Sequence, residues 1–362
     1  MSGGDRHALE VWRTISRAHN VEVFCCDYGA AVIERFGYNL PCVRTESARA
    51  PGARFSRLQY LGRLCAAVRA TRRCGPYDVI YAGSNYFYDV IPALLLAARD
   101  RESKTVASCF HLIPPPAERD GGWLANLVAY VEQRSMLWLL RRRRVGLVVD
   151  NRFLLESLVS LGFQRERLYL TAMGTGNNRR VNISGGGSGS AVYVGRLSAQ
   201  KGVGRLLRAW REVVNEMSDA QLKLIGNDEP AYIAAELIAT LGLAENVTVL
   251  QGLDDGEVSL ALSGSRFFVT ASLEEGYGVA VLEALAHGLP CVTFDLPAFR
   301  EVFPVGRYVV KDHTAGALAD GILRLYRDPA LLSALRAAIC NGFTPETWSQ
   351  VGQNVWQWIK TL

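Results

Sequence analysis

Residues 272–290 read SLEEGYGVAVLEALAHGLP. A buried strand runs into a loop with two carboxylates, and an apolar helical pattern follows. Glu275 and Glu283 are eight residues apart. That spacing sets Glu275 in the loop before the helix and Glu283 about one and a half turns into it. Carboxylates placed in this way accept hydrogen bonds from sugar hydroxyls. Gly276 and Gly278 allow a ligand to approach the backbone closely. The helix start offers free N–H groups and a positive dipole end. The same letters also describe a helix with ordinary surface glutamates.

A second stretch, VGRLSAQKGV at 194–203, leaves a strand at Gly195 and enters a helix with Arg196 and Lys201 nearby. Two cations at a strand-to-helix turn form a pocket for a diphosphate. The stretch is neither a Walker loop nor a G-x-G-x-x-G dinucleotide turn. Taken alone, its cations read equally as solvated surface charges. A third stretch, ASCFHLIPPP at 107–116, sets His111 just past a strand. A histidine there faces the ligand edge of an α/β sheet, unless it is a satisfied structural histidine.

The elements that must position these residues alternate along the chain. In the first half, strand-like runs fall at 21–25, 77–81, 104–108, 145–150 and 168–170, with helical stretches such as 56–73 and 151–161 between them. The segment NISGGGSGS, 182–190, has no hydrophobic anchor and reads as a flexible connection. The alternation then restarts, with strands at 191–194, 221–225, 247–250, 266–270 and 290–294 and helices at 202–217, 230–242 and 278–287. Two Rossmann-like, doubly wound parallel-sheet α/β domains follow, facing a central cleft where ligands sit at the carboxyl ends of the strands. The expected boundaries are 1–180, a linker at 181–190, a second domain at 191–345 and a C-terminal helix at 346–362 packing back toward the first domain.

The bulk numbers agree with this organisation. A chain of 362 residues, 49% hydrophobic and 21% charged, is globular and suits two domains. It has no apolar run of about 18 residues. Its eight cysteines form no CxxC pair or zinc spacing and read as reduced thiols, which points to a cytoplasmic protein. Residues 1–180 carry 26 Lys+Arg against 16 Asp+Glu, a net of +10, whereas residues 181–362 carry a net of −5. The basic half implies an anionic partner or surface.

In combination these residues resemble family 4 of the retaining, nucleotide-sugar-dependent glycosyltransferases, which have the GT-B fold. The E-x(7)-E signature is matched by Glu275 and Glu283, and the G-R-x-x-x-x-K-G segment by Gly195, Arg196, Lys201 and Gly202. The helix-opening G-G-x-x-R-H is matched by Gly3, Gly4, Arg6 and His7, and the first-domain histidine by His111. The resemblance runs along nearly the whole chain. It implies transfer of a hexose, with retention, from a nucleotide-diphosphate sugar to a glycan, lipid-linked or small-molecule acceptor. No metal or other cofactor is implied, and no nucleic acid partner. Arg196 and Lys201 would bind the diphosphate and stabilise the leaving group. Glu275 would contact the donor sugar, with Gly276, Tyr277, Gly278 and Val279 beside it. Glu283 would hold ribose hydroxyls, and His111 would bond the sugar near the reacting carbon. Gly4 would belong to a loop approaching the phosphates. Two segments depart from the pattern, Gly226-Asn227-Asp228-Glu229 with one glycine and Met173-Gly174-Thr175-Gly176 before the linker. The alternative on the same scaffold is a catalytically silent binder of nucleotide-sugars or glycans, and the full set of charged residues argues against it.

Three further features carry expectations. Arg141-Arg142-Arg143-Arg144 follows an apolar helical run. It reads as a solvated helix end, or as a peripheral contact with an anionic membrane at the inner face. Trp348, Trp356 and Trp358 read as the packing face of a terminal helix. Finally, the glycines at 3 and 4 resemble a turn that follows a central first strand. The first domain is therefore expected to have that strand missing or substituted beside Val21–Cys25.

Overall fold

The computed structural model describes residues 3–45, 57–100, 102–118, 122–176, 189–226 and 231–362. They fall into two units, Met1–Gly174 with Glu346–Leu362, and Thr175–Pro345. The departures expected at Asn227 to Glu229, and all of the linker except Gly189 and Ser190, lie outside the described residues.

In the first unit the order is α1 (Gly3–Ile15), β1 (Val23–Cys26), α2 (Asp27–Arg35), β2 (Cys42–Thr45), α3 (Arg57–Thr71), β3 (Val79–Ala82) and α4 (Phe87–Ala97). Next come β4 (Lys104–Ser108), α5 (Trp123–Arg142), β5 (Gly146–Val149), α6 (Arg152–Ser160) and β6 (Leu168–Leu170). All pairings are parallel. The strands form a pair, β1–β2, and a four-stranded sheet, β3–β4–β5–β6. Among the described residues no strand pairs β1 with β3, and this is the place where the sequence led us to expect a strand to be lacking. Side chains meet there instead. The Tyr77 hydroxyl donates to Glu22 Oε2 at 2.6 Å, and the Phe24 and Tyr77 rings lie 6.1 Å apart.

Strand periodicity of two decides which face each residue serves. Leu147 and Val149 of β5 join Ile80, Ala107 and Leu168 against Val90, Ala93, Leu137, Leu154 and Leu158 of the α4–α6 layer. Val148, between them in sequence, points the other way. It meets Val106, Val11 of α1 and Val351, Val355 and Ile359 of the last helix. That helix, Trp348–Thr361, belongs to the first unit and packs along α1. A capping box opens it, in which Thr347 Oγ1 accepts from Gln350 N at 3.2 Å. Its tryptophans pack. Trp348 is buried, Trp356 and Trp358 are half-buried, and Trp358 stacks on Tyr169 with ring centroids 5.3 Å apart.

His7 of α1 is a buried histidine in this layer, beside the Phe110 ring at 4.9 Å. Thr171 Oγ1 donates to the Ala172 carbonyl, so it accepts from His7 Nε2 at 3.2 Å, which assigns the proton to Nε2. Burial pushes the His7 pKa down to about 3. The folded protein keeps this ring neutral while the unfolded chain takes up a proton below its ordinary value. The contribution is whole above about pH 6.5 and is lost as pH falls toward 3. Between pH 7 and pH 5 the first unit should lose about 2 kcal/mol from this group. Urea unfolding at the two pH values should show that loss shrinking in a His7→Gln variant.

The second unit runs β7 (Ala191–Val194), α7 (Val203–Glu216), β8 (Leu222–Ile225), α8 (Ala231–Thr240), β9 (Val247–Leu250), α9 (Asp255–Ser263) and β10 (Phe267–Val269). It continues with α10 (Val279–Ala286), β11 (Cys291–Phe294), α11 (Pro297–Val302), β12 (Arg307–Val310), α12 (Ala315–Arg327) and α13 (Pro329–Gly342), and the terminal helix is α14. One parallel sheet has the order β12–β11–β10–β7–β8–β9. Numbered from β7 this is 3-2-1-4-5-6, the doubly wound order, and the strand order reverses between β7 and β10. β7 is buried at three of its four positions, and β10 and β11 at every position, as strands covered on both faces must be. All eight cysteines of the chain are free thiols.

Candidate active site

At the reversal point two loops leave neighbouring strands and enter two helices. From β7 the chain passes Gly195 and Arg196 to Lys201 and begins α7. From β10 it passes Ala271, Ser272 and Glu275 to Gly278 and begins α10. Both helices start on a left-handed glycine, Gly202 with φ +70° and Gly278 with φ +92°, and neither start has a side-chain cap. A helix that opens without a side-chain acceptor leaves its first N–H groups and its positive dipole end for a ligand.

Glycine is required at both starts. A Cβ on Gly202 would stand 2.1 Å from the Ala271 carbonyl oxygen, and one on Gly278 would stand 2.4 Å from the Phe299 ring. The first contact seats the α7 start directly on the loop after β10. Arg205, in the first turn of α7, donates to the same Ala271 carbonyl at 3.1 Å. On the other side of the α10 start, the Tyr277 ring meets Phe303 edge-on at 5.8 Å.

These close approaches bring Lys201 and Glu275 together. Lys201 Nζ lies 2.7 Å from Glu275 Oε2, and the side chains are 24% and 15% exposed. Arg196 is exposed, and its Nη2 donates to Gln200 Oε1 at 3.3 Å. Tyr193, buried under the loop, donates its hydroxyl to the Arg196 carbonyl at 2.9 Å. Burial and the nearby Glu275 charge push the Tyr193 pKa up, so the phenol stays protonated as that donor. Glu283 is half-buried on the second turn of α10, where its carbonyl lies 2.7 Å from His287 Nδ1 and the other ring nitrogen lies 2.7 Å from Ser259 Oγ.

The remaining sequence-derived residues belong to the first unit. His111 follows β4, and buried Gln133 of α5 pins its segment. Gln133 Nε2 donates to the His111 carbonyl at 2.8 Å, and Gln133 Oε1 accepts from Ile113 N at 2.7 Å. Gly4 is not in a loop. It lies in the first turn of α1, because the helical run already starts at Gly3.

Three residues near the carboxyl ends of the strands escaped the sequence reading: Tyr193, Arg205 and Asp295. Asp295 directly follows β11 and receives a two-pronged contact from Arg300, at 2.7 and 2.9 Å. That guanidinium holds the Asp295 carboxyl below the usual carboxylate range. The available signal was a carboxylate at a strand end just before a proline-started helix. Among the described residues, no three His, Cys, Asp or Glu side chains converge in a metal-holding arrangement.

The family described as glycosyl transferases group 1 matches residues 175–340. A phosphatidyl-myo-inositol mannosyltransferase of Mycobacterium leprae is 27% identical over 177 residues, which is 48% of this chain and 46% of that protein. An alpha-D-kanosaminyltransferase of Streptomyces kanamyceticus is 28% identical over 142 residues, 39% of this chain and 37% of that protein. The chain thus spans about half the length, or less, of these curated relatives. Among solved structures, HepE of Anabaena, in complex with UDP and glucose, matches with a TM-score of 0.77 at 14% identity and covers 100% of this chain and 96% of its own. The sucrose-phosphate synthase of Thermosynechococcus elongatus matches with a TM-score of 0.72 at 18% identity, over 97% and 91% of the two chains. The chain has the GT-B fold of two Rossmann-like α/β units, and its residues 175–340 match the family described as glycosyl transferases group 1.

Proposed function

We propose that this protein transfers a hexose from a nucleoside-diphosphate sugar to an acceptor hydroxyl, with retention of configuration and without a metal. The observation that carries the reading is the Lys201–Glu275 pair, held at 2.7 Å between two uncapped helix starts at the reversal point of the sheet. A diphosphate needs cations and N–H donors, and a sugar needs a carboxylate acceptor. All of these converge on one loop pair.

In the proposed reaction the bond from the anomeric carbon to the diphosphate oxygen breaks, and negative charge gathers on the diphosphate. Arg196, Lys201 and the N-termini of α7 and α10 stabilise that charge. The acceptor oxygen forms the new bond on the same face, and its proton passes to the departing diphosphate. Glu275 accepts hydrogen bonds from the sugar hydroxyls, flanked by Gly276, Tyr277, Gly278 and Val279, and Glu283 takes the ribose. His111 and Gly4 are assigned to the sugar and the phosphates on the resemblance alone.

The relatives support the donor class. HepE was solved with UDP-glucose, and the relative from Mycobacterium leprae is named for mannosyl transfer to phosphatidyl-myo-inositol. A lipid-linked or glycan acceptor is therefore proposed, in the cytoplasm, with Arg141–Arg144 meeting an anionic surface at the inner face of a membrane. No helix among the described residues is long and apolar enough to cross one.

Calorimetry and turnover on purified protein, with UDP- and GDP-sugars as donors, test the reading. The protein should release nucleoside diphosphate from a sugar donor, and Glu275→Ala and Arg196→Ala should each abolish most of that release. Full activity in both variants would remove the site assignment. Tight nucleotide binding without any turnover would leave a silent binder.

A further inference from the structure

Helix α5 presents apolar side chains on both of its faces. Its inner side buries Asn126, Gln133, Leu137 and Leu140. On its outer side Trp123, Leu124, Val128, Val131 and Trp138 are between 40% and 64% exposed. From Leu124 the outer positions recur at steps of four, three, four, three and four, through Ser135 and Trp138 to Arg142. They therefore form one stripe, about 30 Å long for a helix of this length. The sole acid of the helix is Glu132, which is half-buried; burial raises its pKa, and its neighbour is the Phe87 backbone at the start of α4. At the C-terminal end of the stripe, Arg141 to Arg144 are all exposed, and the Arg142 guanidinium lies 5.2 Å from the Trp138 ring.

We propose that this outer face of α5 lies in the surface of an anionic lipid bilayer. Its apolar side chains enter the boundary between headgroups and acyl chains, and the arginines meet lipid phosphates. The proposal deepens the reading of Arg141–Arg144 given above, from charge contact to insertion, and rests on that reading.

Charge and shape together select this occupant. An exposed apolar stripe is a binding surface and not a solvated face. A nucleic acid would want cations along the whole path, whereas here they are gathered at one end. A second copy laid parallel would bring two arginine blocks together. A bilayer with acidic headgroups satisfies both parts, because an apolar stripe with tryptophan and arginine beside it is the pattern of helices lying in the interface.

The test is co-sedimentation of the full chain with vesicles of phosphatidylcholine alone, or with a third of phosphatidylglycerol. Binding should be at least about tenfold stronger on the anionic vesicles. Val131→Ser with Trp138→Ser, which changes no charge, should weaken it by about tenfold or more. Arg142→Gln with Arg143→Gln should do the same. Thermal unfolding checks that each variant folds, and Leu124→Ser with Val128→Ser is the replacement if the first pair does not. Unchanged binding in the serine variant, with loss in the arginine variant, overturns insertion and leaves charge contact standing. Absence of vesicle binding overturns both. A concentration-dependent dimer abolished by the serine pair, with no vesicle binding, assigns the stripe to self-association instead.

Discussion

The Lys201→Ala protein is expected to transfer sugar about 10²–10³-fold more slowly, while Glu275→Gln should bind free nucleoside diphosphate about tenfold more tightly than the unaltered protein. The two effects have opposite signs because the two side chains are each other's partner. Lys201 stands 2.7 Å from a carboxylate before any ligand arrives. An incoming diphosphate must draw the ammonium away from Glu275, and that exchange costs part of the binding energy. Neutralising Glu275 removes the competitor, and a tenfold gain corresponds to about 1.4 kcal/mol. The same change takes a charged acceptor from the sugar, so turnover should drop as product affinity rises. Calorimetry with the nucleoside diphosphate and a rate assay with the sugar donor read the two limbs separately. If Glu275→Gln binds diphosphate no better than the original, the exchange is not part of binding. If the original protein binds no diphosphate, the site itself is wrong.

Gly202→Ala should be among the most damaging single methyl additions in the second unit. The added Cβ falls 2.1 Å from the Ala271 carbonyl oxygen, at a φ of +70° that alanine rarely adopts. Backbone faces backbone there, so no flexible side chain can move aside. The loop after β10 or the first turn of α7 must shift, and the Arg205 bond to the same carbonyl loosens with it. A loss of about 3 kcal/mol is expected, or about 10 °C in Tm for a unit of this size. Differential scanning calorimetry reads it directly. Diphosphate affinity should fall in parallel, since the two helix starts would no longer be aligned. An unchanged Tm would show that the seat of α7 on Ala271 is not held in solution.

Much of this frame is legible in the letters. Phe267, Phe268 and Val269 form an apolar run too short for a helix, and a strand buried on both faces is the natural outcome. Edge strands are harder. Cys42–Thr45 and Arg307–Val310 were missed, because each lies at the border of its sheet and mixes exposed, half-buried and charged positions. In the site, Lys201 and Glu275 could each be found from their own stretch. Their pairing could not, since they are 74 residues apart and meet only through the neighbourhood of β7 and β10. Arg205 and Asp295 acquire meaning only once the strand ends are set side by side. A signal was nevertheless present in the twin patterns KGV and YGV, a glycine opening an apolar helix where serine or aspartate would ordinarily cap it.

The return of α14 to the first unit also governs the order in which the chain can fold as it is synthesised. Val11, Val106 and Val148 share their cluster with Val351, Val355 and Ile359, which a ribosome adds after every residue of the second unit. Residues 175–345 can therefore close their core while the first sheet still shows one apolar face. For that interval the nascent protein carries a finished domain beside an unfinished one, and the bare face is what a chaperone would recognise. Of the two units, the one whose synthesis begins earlier is thus the later to be completed.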